Sequence, residues 1–150
     1  MIAQLITSFI ASAAFGIIFN VPKKSLIQCG TVGMVGWFLY YFLVENDVNS
    51  IAATLAAAFL VAVISQYFAK RYKTPITIFN VSGIIPLVPG GLSYDAMKHF
   101  VENDFNMAFQ LAAKAFMLAG AIAMGLIFAE VMNQLVNKYN KRKLKKLNKI

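Results

Sequence analysis

Apolar residues run along this chain in blocks too long and too unbroken for soluble amphipathic helices, and the polar residues gather in the gaps between them. Four blocks stand out: Ile2 to Phe19, Leu26 to Val44, Ile51 to Ala69 and Met107 to Val131. Each lies near or above the length of about 20 mainly apolar residues that a membrane-spanning helix needs. A fifth block, from Ile76 to about Met97, is as apolar but is interrupted. The segment Thr74 to Tyr94, TPITIFNVSGIIPLVPGGLSY, holds Pro75, Pro86 and Pro89 together with Gly83, Gly90 and Gly91. Proline lacks a backbone donor and clashes with the preceding turn, so an uninterrupted helix is not expected there. The pattern predicts an all-α polytopic membrane protein of about five transmembrane helices, the fourth broken by proline and glycine.

Composition agrees with this reading. The chain is 59% hydrophobic, with mean hydropathy +0.66. Soluble domains use roughly 45–50% apolar residues. The expected organisation is a membrane helical domain over residues 1–137 and a basic cytoplasmic tail over residues 138–150. Ala11-Ser12-Ala13 resembles a signal-peptidase site, but no Lys or Arg precedes it and the apolar run continues past it. The first block is therefore expected to be a retained helix. Cys29 is the sole cysteine, which leaves no disulfide or cysteine metal cluster within one chain.

Charge then sets the topology. Lys23 and Lys24 follow the first block, Glu45 and Asp47 the second, and Lys70, Arg71 and Lys73 the third. Glu102 and Asp104 follow the broken fourth, and a dense Lys/Arg run from Lys138 onward follows the last. Cytoplasmic loops carry the Lys/Arg excess. The alternation is satisfied by an outside N-terminus, a cytoplasmic C-terminus and an odd number of crossings. It also favours a full crossing by the broken segment over a re-entrant loop, since a loop would put Arg71 and the basic tail on opposite sides. The net charge of +8 is not arranged for nucleic acid: within the tail only Tyr139 offers an aromatic face. The tail reads as an anchor beside anionic lipid headgroups.

Small residues mark helix contacts. Gly30, Gly33 and Gly36 step along the second helix, Ser12 and Gly16 pair on the first, and Ala121 and Gly125 pair on the last. The third helix is narrow, with Ala52, Ala53, Ala56, Ala57 and Ala58. Such faces let helices approach closely in lipid. Most are expected to pack within the chain, leaving others for a partner subunit or a second copy.

The candidate chemistry lies around the break. Backbone groups freed at membrane depth must be buried in protein or line a wet cavity, and broken helices of this kind form the substrate sites of many transporters. Asn80 and Ser82 supply polar side chains there, either to substrate or to the freed backbone. The half-helix N-terminus near Pro89 to Leu92 would favour a carboxylate. Lys114 has two readings: a positive charge near that carboxylate, or a side chain snorkelling to the outer interface. Glu130 reads as an interfacial carboxylate, with a proton-linked role as the alternative; Asp95 reads equally as a carboxylate at a site mouth or in a loop, and His99 as a loop residue. The H-E-x-x-H, G-x-x-x-x-G-K-[ST] and G-x-S-x-G motifs are absent from the sequence, so no enzyme and no cofactor is expected.

Several motifs in order resemble one family. F-N-V-P at Phe19 to Pro22, then Cys29-Gly30, then I-P-L-V-P-G at Ile85 to Gly90 with Tyr94-Asp95-Ala96-Met97, are similar to the threonine/serine exporter family. The likeness is to its small-subunit type, equivalent to the C-terminal half of full-length exporters. The resemblance implies a bacterial inner-membrane exporter of small carboxylated metabolites: threonine, serine or a dicarboxylate such as succinate. It implies a partner, a second membrane subunit resembling the other half. The family's motif positions fall on Asn20, Pro22, Pro86, Pro89, Gly90 and Tyr94. With the readings above, the candidate substrate-binding set is Asn80, Ser82, Pro86, Pro89, Gly90, Gly91, Tyr94 and Lys114.

Overall fold

The computed structural model describes residues 2–147, with side chains through Tyr139. Among these residues it is all-helical: α1 (Ile2–Ile18), α2 (Leu26–Glu45), α3 (Ser50–Tyr72), α4 (Ile76–Ile84), α5 (Gly90–Val101) and α6 (Phe105–Leu147). Short 3₁₀ turns at Lys23–Ser25 and Ile85–Leu87 lead into α2 and out of α4. The five apolar blocks are thus present, and α4 with α5 forms the broken fourth. α6 passes residue 137 without interruption. Residues 148–150 of the expected basic tail lie outside the described residues.

Four helices end the same way. Asn20, Asp47, Lys73 and Asn103 take left-handed φ values of 54 to 63° just past α1, α2, α3 and α5. At each end the next amide reaches back five residues: Val21 to Gly16, Val48 to Leu43, Thr74 to Ala69 and Asp104 to His99, at 2.9 to 3.2 Å. This is the Schellman arrangement, which satisfies carbonyls that a helix end leaves open. Three of the four positions are Asn or Asp, the side-chain-bearing residues that best tolerate this conformation. Asn20 therefore ends α1 by turning left-handed, and Pro22 follows a helix already closed.

α1 packs on α2 and α4, α2 packs on α3 and α4, α3 packs on α6, and α6 carries α5. Glycine sets these contacts by absence of bulk. A Cβ at Gly30 would lie 2.6 Å from the Phe9 ring, and one at Gly33 would overlap Ser12. Gly36 turns instead toward Val61 of α3. Each three-residue step advances about 300°, so the stripe drifts by about 60° per step and serves two neighbours. Gly83 of α4 sits between Val32 and Val61, and a Cβ at Gly125 of α6 would come within 2.6 Å of the Leu55 carbonyl oxygen. The small-residue stripes read from the sequence are mainly contacts within the chain. The core they enclose contains Val32, Ala57, Ala58, Val61, Leu87 and Ile122. Outward faces carry exposed Ile6, Ile10, Ile17, Phe38, Phe42 and Phe128, as lipid contact requires.

The contacts also fix directions. Gly16 meets Cys29 and Gly33 meets Ser12, so α1 and α2 are antiparallel. Gly125 beside Leu55 and Ala58, and Gln66 bonded to the Ala129 carbonyl, make α3 and α6 parallel. Lys23, Lys70 and Lys138 therefore gather at one end of the bundle, with Glu45 and Asp47 at the other. The α4–α5 axis bends by 52° without reversing, and α5 ends at the acidic end. In this register α6 starts about three turns before α3. Lys114, two turns or so into α6, thus stands beyond the start of α3, about level with the α2–α3 connection, and is exposed.

Candidate functional site

The break in the fourth segment is built by two prolines acting differently. Pro86 cannot donate to the Ser82 carbonyl, and the chain tightens there into the 3₁₀ turn Ile85–Leu87. Val88 is extended, with its N–H on the Ile85 carbonyl at 3.3 Å. Pro89 has φ −76° and ψ 52°, close to an inverse γ-turn. That turn is closed by a 2.8 Å bond from the Gly90 N–H to the Val88 carbonyl. α5 then begins with Pro89 as its N-cap and no side-chain cap. A helix start leaves its first amides open. Pro89 has no N–H, Gly90 has spent its own, and the N–H groups of Gly91 and Leu92 have no partner among the described residues.

Gly90 and Gly91 are not there for strain or crowding. Among the described residues no glycine has a positive φ, and a Cβ at either position would meet nothing within 4 Å. What their missing side chains do is leave the α5 N-terminus bare and reachable. Ser93 does not cover it: its hydroxyl donates to the Pro89 carbonyl at 3.0 Å.

The other candidates fall into different surroundings. Ser82 is fully buried, and its hydroxyl donates to the Ile78 carbonyl of its own helix at 2.9 Å. Asn80 is half-buried, with its Oδ1 enclosed and unpartnered. Pro86 faces a groove of about 230 Å³ between α1 and α2, shared with Gln4, Thr7, Ser8 and Trp37. Tyr94 lies on the exposed side of α5, 70% accessible. Ser93 and Ala96 face Ala112 and Ala108 of α6, a register that puts Lys114 at about the height of Gly91. Lys114 has no hydrogen-bonding or ionic partner among the described residues. The structure thus brings Pro89, Gly90, Gly91 and Tyr94 together on one open face, puts Pro86 on the α1–α2 groove, and sets Ser82 in the interior.

Trp37 was not legible as a site residue from sequence. Its indole N–H is buried with no partner beside the Pro86 groove, whereas buried indole N–H groups are ordinarily bonded. As the sole tryptophan in an apolar helix, it gave only the signal of rarity.

The fold defines the class as a multi-pass helical membrane protein with one span broken between two half-helices. The chain belongs to the threonine/serine exporter family; the family described as "Threonine/Serine exporter, ThrE" matches residues 4–132. A Haemophilus influenzae protein described as "Uncharacterized protein" is 26% identical over 134 residues, covering 84% of this chain and 45% of that protein. The chain therefore spans about half the length of that curated relative. No solved structure matches.

Proposed function

We propose that this chain is the membrane subunit of a secondary exporter of small amino acids or carboxylates, with threonine, serine or a dicarboxylate such as succinate as cargo. A second membrane subunit, resembling the N-terminal half of threonine/serine exporters, works with it. The observation that carries this reading is the family match over residues 4–132, joined to a bare half-helix N-terminus inside an otherwise apolar chain. At that N-terminus a substrate carboxylate accepts from the Gly91 and Leu92 N–H groups, and the helix dipole favours the negative charge. Pro86, Pro89 and Gly90 hold the break open, Tyr94 flanks it and Lys114 stands level with it, while Asn80 and Ser82 lie on the preceding half-helix, Ser82 in its interior. The test is amino-acid and dicarboxylate efflux from cells expressing the chain with and without its partner. Unchanged efflux of every compound in both conditions counts against transport.

A second reading has its own support. Ser82 is fully buried and bonded to its own helix, as it would be in a subunit that only stabilises or positions a transporting partner. In that reading the prolines shape a packing surface and the chain carries no cargo.

We further propose that the basic end faces the cytoplasm of a bacterial inner membrane, with the N-terminus outside. The residue 138–150 stretch then lies against anionic headgroups. Single cysteines placed at positions 45–49 and 102–106 are expected to react with an impermeant reagent in sealed cells. Cysteines at Lys23, Lys73 and Lys138 should stay protected. Reaction at position 73 from outside would overturn the assignment.

A further inference from the structure

The basic end of the bundle carries a polar cleft that the break does not use. It measures about 310 Å³, opens to one side, and lies between the end of α3, the start of α4 and α6. That is the lower end of the range for small-molecule sites. Gln66, Lys70, Thr74, Glu130 and Asn133 bring their polar groups to it.

Two opposite charges share this cleft without pairing. Lys70 Nζ donates to Asn133 Oδ1 at 2.8 Å, and Glu130 Oε1 accepts from Gln134 Nε2 at 3.1 Å. No ion pair joins them among the described residues. Each charge is held by a neutral amide, leaving most of its bonding capacity unused. Thr74 Oγ1 is enclosed with no partner. Gln66, nearly fully buried, is pinned by its 3.0 Å bond to the Ala129 carbonyl, which fixes the floor.

We propose that this cleft binds the zwitterion of a small α-amino acid, with Lys70 and Thr74 on its carboxylate and Glu130 on its ammonium. The inference rests on the exporter reading and narrows its cargo. A second carboxylate in place of the ammonium would face Glu130, so the cleft selects amino acids over dicarboxylates. Its place at the basic end makes it the position where cargo is taken up before reaching the break.

The test is thiol protection in inverted membrane vesicles. Ala69 lines the cleft, and Cys29 is fully buried, so Ala69→Cys gives one reactive thiol. L-serine is expected to slow its labelling several-fold. Glycerate, serine with a hydroxyl in place of the amine, should protect less well, and succinate least. Glu130→Gln is expected to raise the half-protecting serine concentration by about ten-fold or more, the scale of losing a charged hydrogen bond, and to leave glycerate unchanged. Lys70→Gln should weaken both. Absence of serine protection overturns the proposal, as does an equal shift of serine and glycerate in Glu130→Gln. Protection by succinate at or below the serine concentration overturns it from the Ala69→Cys protein alone, even if the charge variants fail to accumulate. Protection without any efflux in the presence of the partner would refute the exporter reading and leave the cleft standing. Efflux without protection would refute the cleft alone.

Discussion

Replacing Pro86, Pro89 and Gly90 together by alanine is expected to cut efflux by at least about ten-fold while leaving the amount of protein in the membrane unchanged. Proline costs about 3 kcal/mol and glycine about 1 kcal/mol relative to alanine in a helix interior. All three changes therefore favour a continuous α4–α5 helix. A Cβ at Gly90 meets nothing within 4 Å, so crowding does not oppose them. Straightening, however, gives the Gly91 and Leu92 amides intrahelical acceptors. Their bonds to a charged ligand, worth about 1.5–3 kcal/mol each, are lost, and 1.4 kcal/mol is already ten-fold. Efflux assayed at matched membrane levels decides the matter. Normal efflux from the triple variant would make the break architectural and remove the proposed carboxylate site.

The opposite behaviour is expected of Gly83→Leu. Gly83 is buried in α4 between Val32 and Val61, and even a bare Cβ would lie 2.5 Å from Val32 and 2.9 Å from Val61. Overpacking a close-packed interior typically costs about 1–3 kcal/mol, and a leucine here adds three carbons beyond the Cβ that already collides. The variant should fail to give a monodisperse peak after detergent extraction. Gly91→Leu, with open space around it, should extract and elute as the parent does while losing efflux. If Gly83→Leu elutes normally, the packing of α4 between α2 and α3 is not as described.

These two glycines show what the sequence could and could not convey. Both sit in the stretch TPITIFNVSGIIPLVPGGLSY, and composition treats them alike. The apolar blocks and charged gaps were legible because lipid imposes a length and the loops carry the charge bias. The break was legible because proline acts through local covalent geometry. The division of labour was not. Gly83 is a contact residue because α2 and α3 close on it, which no local pattern states. Gly36 meets α3 and not α1 because of helical drift along α2. The depth of Lys114 depends on how far α6 overshoots α3, a register set by Gly125 and Gln66. Trp37 and the cleft at Lys70 and Glu130 depend on helices distant in sequence; along the sequence Lys70 reads only as a cytoplasmic charge and Glu130 as an interfacial carboxylate.

The family places the chain among threonine/serine exporter-type membrane proteins, while its length is about half that of its curated relative. The proposal that goes beyond them is that the chain works as one subunit of a pair exporting small amino acids or carboxylates. The most direct measurement copurifies the chain with its membrane partner, reconstitutes both in proteoliposomes, and follows efflux of labelled threonine and serine. Efflux is expected from vesicles holding both chains, and only background from vesicles holding either alone. Background efflux of threonine, serine and succinate from the copurified pair, in sealed vesicles under an imposed proton gradient, would contradict it.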